Sequence, residues 1–181
     1  DIRRSGLHLL GLIGDVLDLA KAEAGRIELD EGPCELEGDI LEPSITLIAA
    51  RASRDGVQLD RDIHAPRQIV LSDARKLVQV VTNLLTNAVK FSERGSRVEV
   101  ATAAANDGGL LVRVKDSGPG MSDSEAVQAF EPFTQVGEQR LRHQEGTGLG
   151  LPLARRLVEL HGGSLIIDSR KGVGTTMTVA L

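Results

Sequence analysis

Asn83 and Asn87 are four residues apart in the stretch Gln79 to Phe91, Q-V-V-T-N-L-L-T-N-A-V-K-F. At helical spacing they stand one above the other on a single face. Lys90 follows a turn later. Asn is a mediocre helix former, because its amide competes for backbone hydrogen bonds. Two stacked amide oxygens beside a cation suit a magnesium ion and the phosphates it carries. The same spacing equally suits two solvated amides on an amphipathic helix, so the pair alone leaves both readings open.

Two glycine-containing stretches lie downstream. D-S-G-P-G-M, Asp116 to Met121, follows a run that reads as a strand. Asp116 offers a carboxylate acceptor for an exocyclic amine such as that of adenine. Gly118 and Gly120 permit unusual backbone angles and close approach of a ligand. An Asp in a plain turn is a common event, and that reading stands beside the first. G-T-G-L-G-L, Gly146 to Leu151, enters a helix. Free N–H groups and the positive end of the helix dipole suit phosphate oxygens, and three alternating glycines exceed what a cap requires. No strand leads directly into this stretch and no Gly-Lys-Ser/Thr follows, so it is neither a dinucleotide fingerprint nor a P-loop. Arg140 and Arg142, just before it, either bridge to a terminal phosphate or stay solvated.

These residues need elements to hold them. Val80, Val81, Leu84, Leu85, Ala88 and Val89 give the Asn helix an apolar side, and Ser72 or Asp73 caps it. Arg97 to Ala103 and Leu110 to Lys115 read as antiparallel strands joined by N-D-G-G. Ser122 starts a short helix with Glu125 at the capping-box position. Phe130 to Thr147 is polar and without a period, as lids and binding loops are. Gly148 to His161 reads as a helix stopped by Gly162-Gly163, and Leu165 to Asp168 and Thr175 to Leu181 as closing strands. Upstream, Asp39 to Arg54 reads as a helix with Pro43 in its first turn. Val57 to Ile63 alternates as a half-buried strand, and Gln68 to Leu71 as a shorter one. Residues 1 to 24 carry a heptad-like seam through Ile2, Leu9, Ile13, Val16 and Ala20, closed by Gly25. A helix of that kind needs a partner for its stripe. The connection Gly25 to Gly32 sets an expected boundary between residues 1–25 and 26–181.

Composition bounds the function. Hydrophobic residues are 41% and charged residues 26%, as in globular proteins. Aromatics are only 2%, so the core is aliphatic and stacking platforms for single-stranded nucleic acid are missing. The net charge of −5 offers no basic field for DNA or RNA. A single cysteine, Cys34, excludes an internal disulfide and is compatible with a reducing compartment. The most apolar stretch, Leu7 to Ala20, is broken by Asp15 and Asp18, so no membrane contact is expected of these residues. The start, without Met, reads as the beginning of a fragment of a longer protein, cytoplasmic here and open to a membrane anchor elsewhere.

In their order, these motifs resemble the catalytic domain of two-component sensor histidine kinases. N-L-L-T-N-A-V-K-F is similar to the N box, D-S-G-P-G-M to the G1 box, F-E-P-F at Phe130 to Phe133 to the F box, and G-T-G-L-G-L to the G2 box. L-V-E-L-H-G-G, Leu157 to Gly163, resembles the usual continuation. His8 to Gly25 resembles the second helix of the dimerisation and phosphotransfer bundle. The resemblance implies a two-layer α/β sandwich, with a mixed sheet and helices on one face (the Bergerat ATP-binding fold), preceded by one long bundle helix. It implies ATP and Mg2+ as ligands. Asn87 is then a magnesium ligand, with Asn83 ligating or orienting beside it. Lys90 neutralises phosphate charge and Asp116 binds the adenine amine. Gly118, Gly120 and Met121 line the nucleotide. Gly146, Thr147, Gly148, Leu149 and Gly150 form the phosphate-side loop. Arg142 reaches the γ-phosphate, and Thr176 supplies a hydroxyl near adenine. The implied partners are a second copy of the chain, through the first helix, and a response-regulator receiver domain.

In the resembled family the phosphoacceptor His lies on the first bundle helix, upstream of Asp1, and His8 matches a non-acceptor position. This chain alone is therefore expected to bind ATP without autophosphorylating. A degenerate kinase serving as a nucleotide-sensing or partner-binding scaffold is the alternative. An ATP hydrolase of the same superfamily is disfavoured, because such enzymes place a Glu where Asn83 stands.

Overall fold

The structure, a computed structural model, describes residues 2–63, 68–105, 108–136 and 147–181. Along the chain run α1 (Ile2–Glu23), β1 (Gly32–Glu35), a π-helical turn (Leu36–Leu41), α2 (Glu42–Asp55), β2 (Gln58–Ile63), β3 (Ile69–Ser72) and α3 (Ala74–Phe91). They are followed by β4 (Arg97–Ala104), β5 (Leu110–Asp116), α4 (Asp123–Gln128), α5 (Gly150–Leu160), β6 (Ser164–Arg170) and β7 (Gly174–Ala180). The main sheet has the order β2-β4-β5-β7-β6; β2 and β4 are parallel and the other neighbours antiparallel. β1 and β3 form a separate antiparallel pair.

Period-two alternation makes the sheet two-faced. Val98, Val100, Val112, Val114, Met177 and Val179 are buried, whereas Arg97, Glu99, Arg113 and Lys115 are exposed. Helices cover only the apolar face, as the implied sandwich requires. The central helix is α3, whose Leu77, Val80, Val81, Leu84, Leu85, Ala88 and Val89 are all buried. Asp73 is its N-cap, accepting hydrogen bonds from the N–H groups of Arg75 and Lys76. Burial raises the Asp73 pKa, but the N–H donors of Asp30, Lys76 and Arg75 and the Arg75 charge outweigh it and hold the carboxyl below its ordinary value.

Two helix starts differ from the sequence reading. The helix expected from Asp39 begins instead as the π-helical turn at Leu36, where Asp39 accepts from the Glu35 N–H at 2.7 Å. The helix expected from Gly148 begins at Gly150, because Gly148 has φ +69°, outside the right-handed helical region. α1 is not detached from the rest of the fold: Leu19 and Ala22 are buried, and Gln79 of α3 donates to Asp18. The His8 side chain and the turn residues Asn106 and Asp107 lie outside the described residues.

Candidate nucleotide site

A cleft of about 610 Å³ opens between α3, the turn after β5, the segment 134–136 and the start of α5. It is lined by Asn83, Asn87, Lys90, Asp116, Gly120, Met121, Thr147, Gly148 and Gly150. Nine of the sequence-predicted residues are therefore brought to one cavity. Gly118, Leu149 and Thr176 do not line it, and Arg140, Arg142 and Gly146 lie outside the described residues.

The two amides take different parts. Asn83 Nδ2 donates to the Gly150 carbonyl at 3.2 Å, which ties α3 to the first residue of α5. Its Oδ1 remains as an acceptor. Asn87 is half-buried and lines the cleft, and its side chain makes no hydrogen bond to another described residue. Lys90 lies with its ammonium 4.7 Å from the Phe91 ring centroid. Burial, and then the charge of Arg51, lower its pKa. Three oxygen or cation groups on one helical face, two of them without a side-chain hydrogen bond or ion pair among the described residues, form a donor set that fits a hydrated Mg2+ carrying phosphate. Asn87 and Asn83 are the residues that could hold it.

Asp116 ends β5 and is buried. Burial raises its pKa, and the N–H groups of Gly118 and Thr175 partly offset this by bonding to the carboxylate. The Gly118 bond, to Oδ1, is 2.8 Å long. The next residues are fixed by close backbone approaches rather than by open space. A Cβ on Gly118 would stand 2.7 Å from the Phe91 carbonyl, at the end of α3. A Cβ on Gly120, whose φ is +64°, would stand 2.0 Å from the Arg170 carbonyl. These glycines thus lock the turn to α3 and to the β6–β7 turn, which sets Asp116 and Asn87 on a common cavity. Met121 N–H donates to Ser169 Oγ at 2.8 Å, completing the clamp.

The expectation for Thr176 is off by one. In the β5–β7 register Asp116 faces Thr175, while Thr176 pairs with the exposed Lys115. Alternation therefore places Thr175 in the cleft and Thr176 on the outer face. The sequence carried the signal: Thr175 is in phase with the apolar Met177 and Val179, and Thr176 is out of phase with them. Leu149 is likewise a core residue, fully buried beneath the loop, where its N–H donates to Thr147 Oγ1. α5 has no side-chain cap, so its first N–H groups keep their capacity for an anion.

The sequence reading also missed one wall of the cleft. Arg51, Arg54 and Asp55, at the end of α2, line it beside Lys90. Their spacing resembles that of any solvated last helical turn, and only the packing of α2 on α3 brings them to the site.

A family model described as histidine kinase-, DNA gyrase B-, and HSP90-like ATPase matches residues 72–181. The histidine protein kinase DivJ of Caulobacter vibrioides is 44% identical over 183 residues, 99% of this chain and 30% of that protein. The cell-division control histidine kinase PdhS of Brucella anthropi is 38% identical over 188 residues, 99% of this chain and 18% of that protein. The chain therefore spans 30% or less of the length of these curated relatives. Full-length ShkA, solved in complex with AMPPNP, matches with a TM-score of 0.85 and 32% identity over 98% of this chain and 36% of that one.

Proposed function

We propose that this chain, which belongs to the histidine kinase-, DNA gyrase B- and HSP90-like ATPase family, is the ATP-binding catalytic module of a sensor histidine kinase. Its reaction is transfer of the γ-phosphoryl of ATP to a His imidazole on another segment, for relay to a receiver domain of a response regulator. The observation that carries the reading is the convergence of Asp116, Asn87, Lys90 and the uncapped start of α5 on one cleft of about 610 Å³. That size suits a nucleotide.

Each residue has a task within this reading. Asp116 accepts from the adenine amine and fixes the base. Asn87, with Asn83 Oδ1 beside it, holds the metal. When bound there, Mg2+ would supply charge neutralisation to the polyphosphate. Lys90 and the α5 N–H groups add to that neutralisation. The P–O bond to the ADP leaving group breaks as the P–N bond to imidazole forms, through a loose transition state that needs positioning more than a base. Asn83 suits this division of labour: an amide cannot deprotonate water, and its N–H is committed to Gly150.

The bundle-facing part of α1 supports a second copy as partner. Leu9, Leu10, Ile13, Val16 and Leu17 are 41–66% exposed along it, which leaves an apolar stripe for another helix.

Calorimetric titration of the chain with Mg-ATP tests the site. Asn87→Ala and Asp116→Ala are each expected to abolish binding while retaining the parent's far-UV circular dichroism. Two folded variants that bind like the parent would overturn the assignment.

A further inference from the structure

We propose that Arg51 is a nucleotide-binding residue: it forms, with Lys90, a two-cation wall that takes the polyphosphate, and Asp55 is its interim counter-ion. The proposal rests on the reading of the cleft as a nucleotide site, and extends it to a helix that none of the sequence motifs includes.

Arg51 sits near the end of α2, one residue before the buried Ala52. It lines the same cavity as Asn87 and Lys90. Its partner is Asp55, one turn later, with Nε to Oδ2 at 3.5 Å and side chains 40% and 41% exposed. An i,i+4 pair of this exposure contributes little, and the Arg-before-Asp order is the less favourable one for the helix dipole. Asp55 is therefore a weak hold that a more highly charged anion displaces.

Lys90 points to the same conclusion from the other helix. Among the described residues it has no carboxylate partner; its ammonium rests over the Phe91 ring. It also feels Arg51 as a like charge. Two cations sharing a half-buried wall repel one another unless an anion lies between them. A nucleotide polyphosphate supplies that anion, and the planar guanidinium matches two phosphate oxygens at once. If Arg51 were only a solvated residue complementing the end of α2, its loss would not distinguish ATP from adenosine.

That contrast is the test. Mg-ATP and adenosine are titrated separately into the parent, Arg51→Gln, Asp55→Asn and Arg113→Gln. Gln keeps the helix propensity of Arg. Arg113→Gln makes the same charge change on the open face of the sheet, away from the cleft. Arg51→Gln is expected to weaken Mg-ATP about five- to tenfold, as loss of one charge-assisted contact does. Adenosine affinity and the melting temperature should stay at parental values. Asp55→Asn should tighten Mg-ATP, and the Arg51→Gln effect should shrink as salt rises. Equal Mg-ATP affinity in Arg51→Gln and Arg113→Gln overturns the proposal, as does an equal loss of adenosine. The two readings fail separately. A parent that binds no ATP removes the nucleotide site itself, whereas a parent that binds, with Asn87→Ala inactive and Arg51→Gln unaffected, removes only the role of Arg51.

Discussion

Asp116→Asn separates recognition of adenine from integrity of the fold, because ATP affinity should fall steeply while stability is nearly kept. In the parent, Oδ1 is committed to the Gly118 N–H at 2.8 Å, the Thr175 N–H also bonds to the carboxylate, and the acceptor capacity left over serves the cleft. Asn can keep the Gly118 bond through its oxygen. Its NH2 then stands where the other carboxylate oxygen was, and faces the adenine amine donor to donor. A hydrogen bond to a charged group contributes about 1.5–3 kcal/mol, and an unpaired buried donor costs about 1–3 kcal/mol more. A combined loss of about 3 kcal/mol lowers ATP affinity on the order of a hundredfold. Inosine triphosphate carries an oxygen in place of the amine, so the variant should lose far less against it, or gain.

Stability should behave differently. Burial raises the pKa of Asp116, so its charged form is the disfavoured one in the folded state. A proton binds the folded chain more tightly than the unfolded chain, and this group stabilises the fold as pH falls through its raised pKa. The neutral amide removes the buried charge but loses the bond from the Thr175 N–H, so the variant should melt close to the parental temperature. ATP affinity of the parent should meanwhile fall at a pH above the ordinary carboxylate value of 3.8, as the acceptor is protonated. The assays are calorimetric titration with both nucleotides and a thermal melt. If the variant binds ATP like the parent, or loses both nucleotides equally at an unchanged melting temperature, Asp116 does not read the adenine amine.

Asp73 should show the reverse linkage. Its pKa is lowered, so its contribution is present above the unfolded value near 3.8 and is lost as pH falls through the lower folded value; Asp73→Ala removes the cap of α3, at a cost of about 1–2 kcal/mol seen in a thermal melt at pH 7. Gly120→Ala should lower the melting temperature sharply, because a Cβ at φ +64° collides with the Arg170 carbonyl. Gly150→Ala should melt like the parent, since its Cβ meets only Asn83 at 3.7 Å, yet should bind Mg-ATP more weakly by intruding on the cleft. Leu10→Gln with Leu17→Gln, at positions 66% and 53% exposed, should leave the melt unchanged and abolish any self-association of the chain seen by sedimentation.

Much of this architecture was legible because local chemistry and tertiary demand agree. The period of α3, its cap at Asp73 and the capping box of Ser122 and Glu125 are local features, and all three stand as expected. What escaped depends on contacts distant in sequence. Gly118 and Gly120 are glycines because other backbone segments press on them, whereas the sequence pointed to a ligand. Arg51 reaches the site only through helix packing. The motifs bring nine of their residues to one cleft, but the reasons for several of these residue types lie elsewhere in the molecule.

The two helices that shape the cleft also hold α1, so the first helix and the nucleotide site share a frame. On α3, Asn83 binds the start of α5, while Gln79, one turn earlier, donates to Asp18 of α1 at 3.2 Å. On α5, Gly150 accepts from Asn83, and Arg156 donates to the Ala22 carbonyl at the end of α1 at 3.2 Å. A second tie runs along the connection out of α1. Asp30 N–H donates to Asp73 Oδ2, and Asp73 N–H donates to His161 Nε2 just beyond α5. His161 Nδ1 lies 2.8 Å from the Leu157 carbonyl, so the ring is held from both of its nitrogens. A shift of α5 relative to α3 at Asn83 cannot leave both the Gln79–Asp18 and Arg156–Ala22 bonds in place unless α1 moves with them. Asn83 is in that sense a structural joint as well as a cleft residue, which an amide can serve with its donor and acceptor at once and a carboxylate cannot.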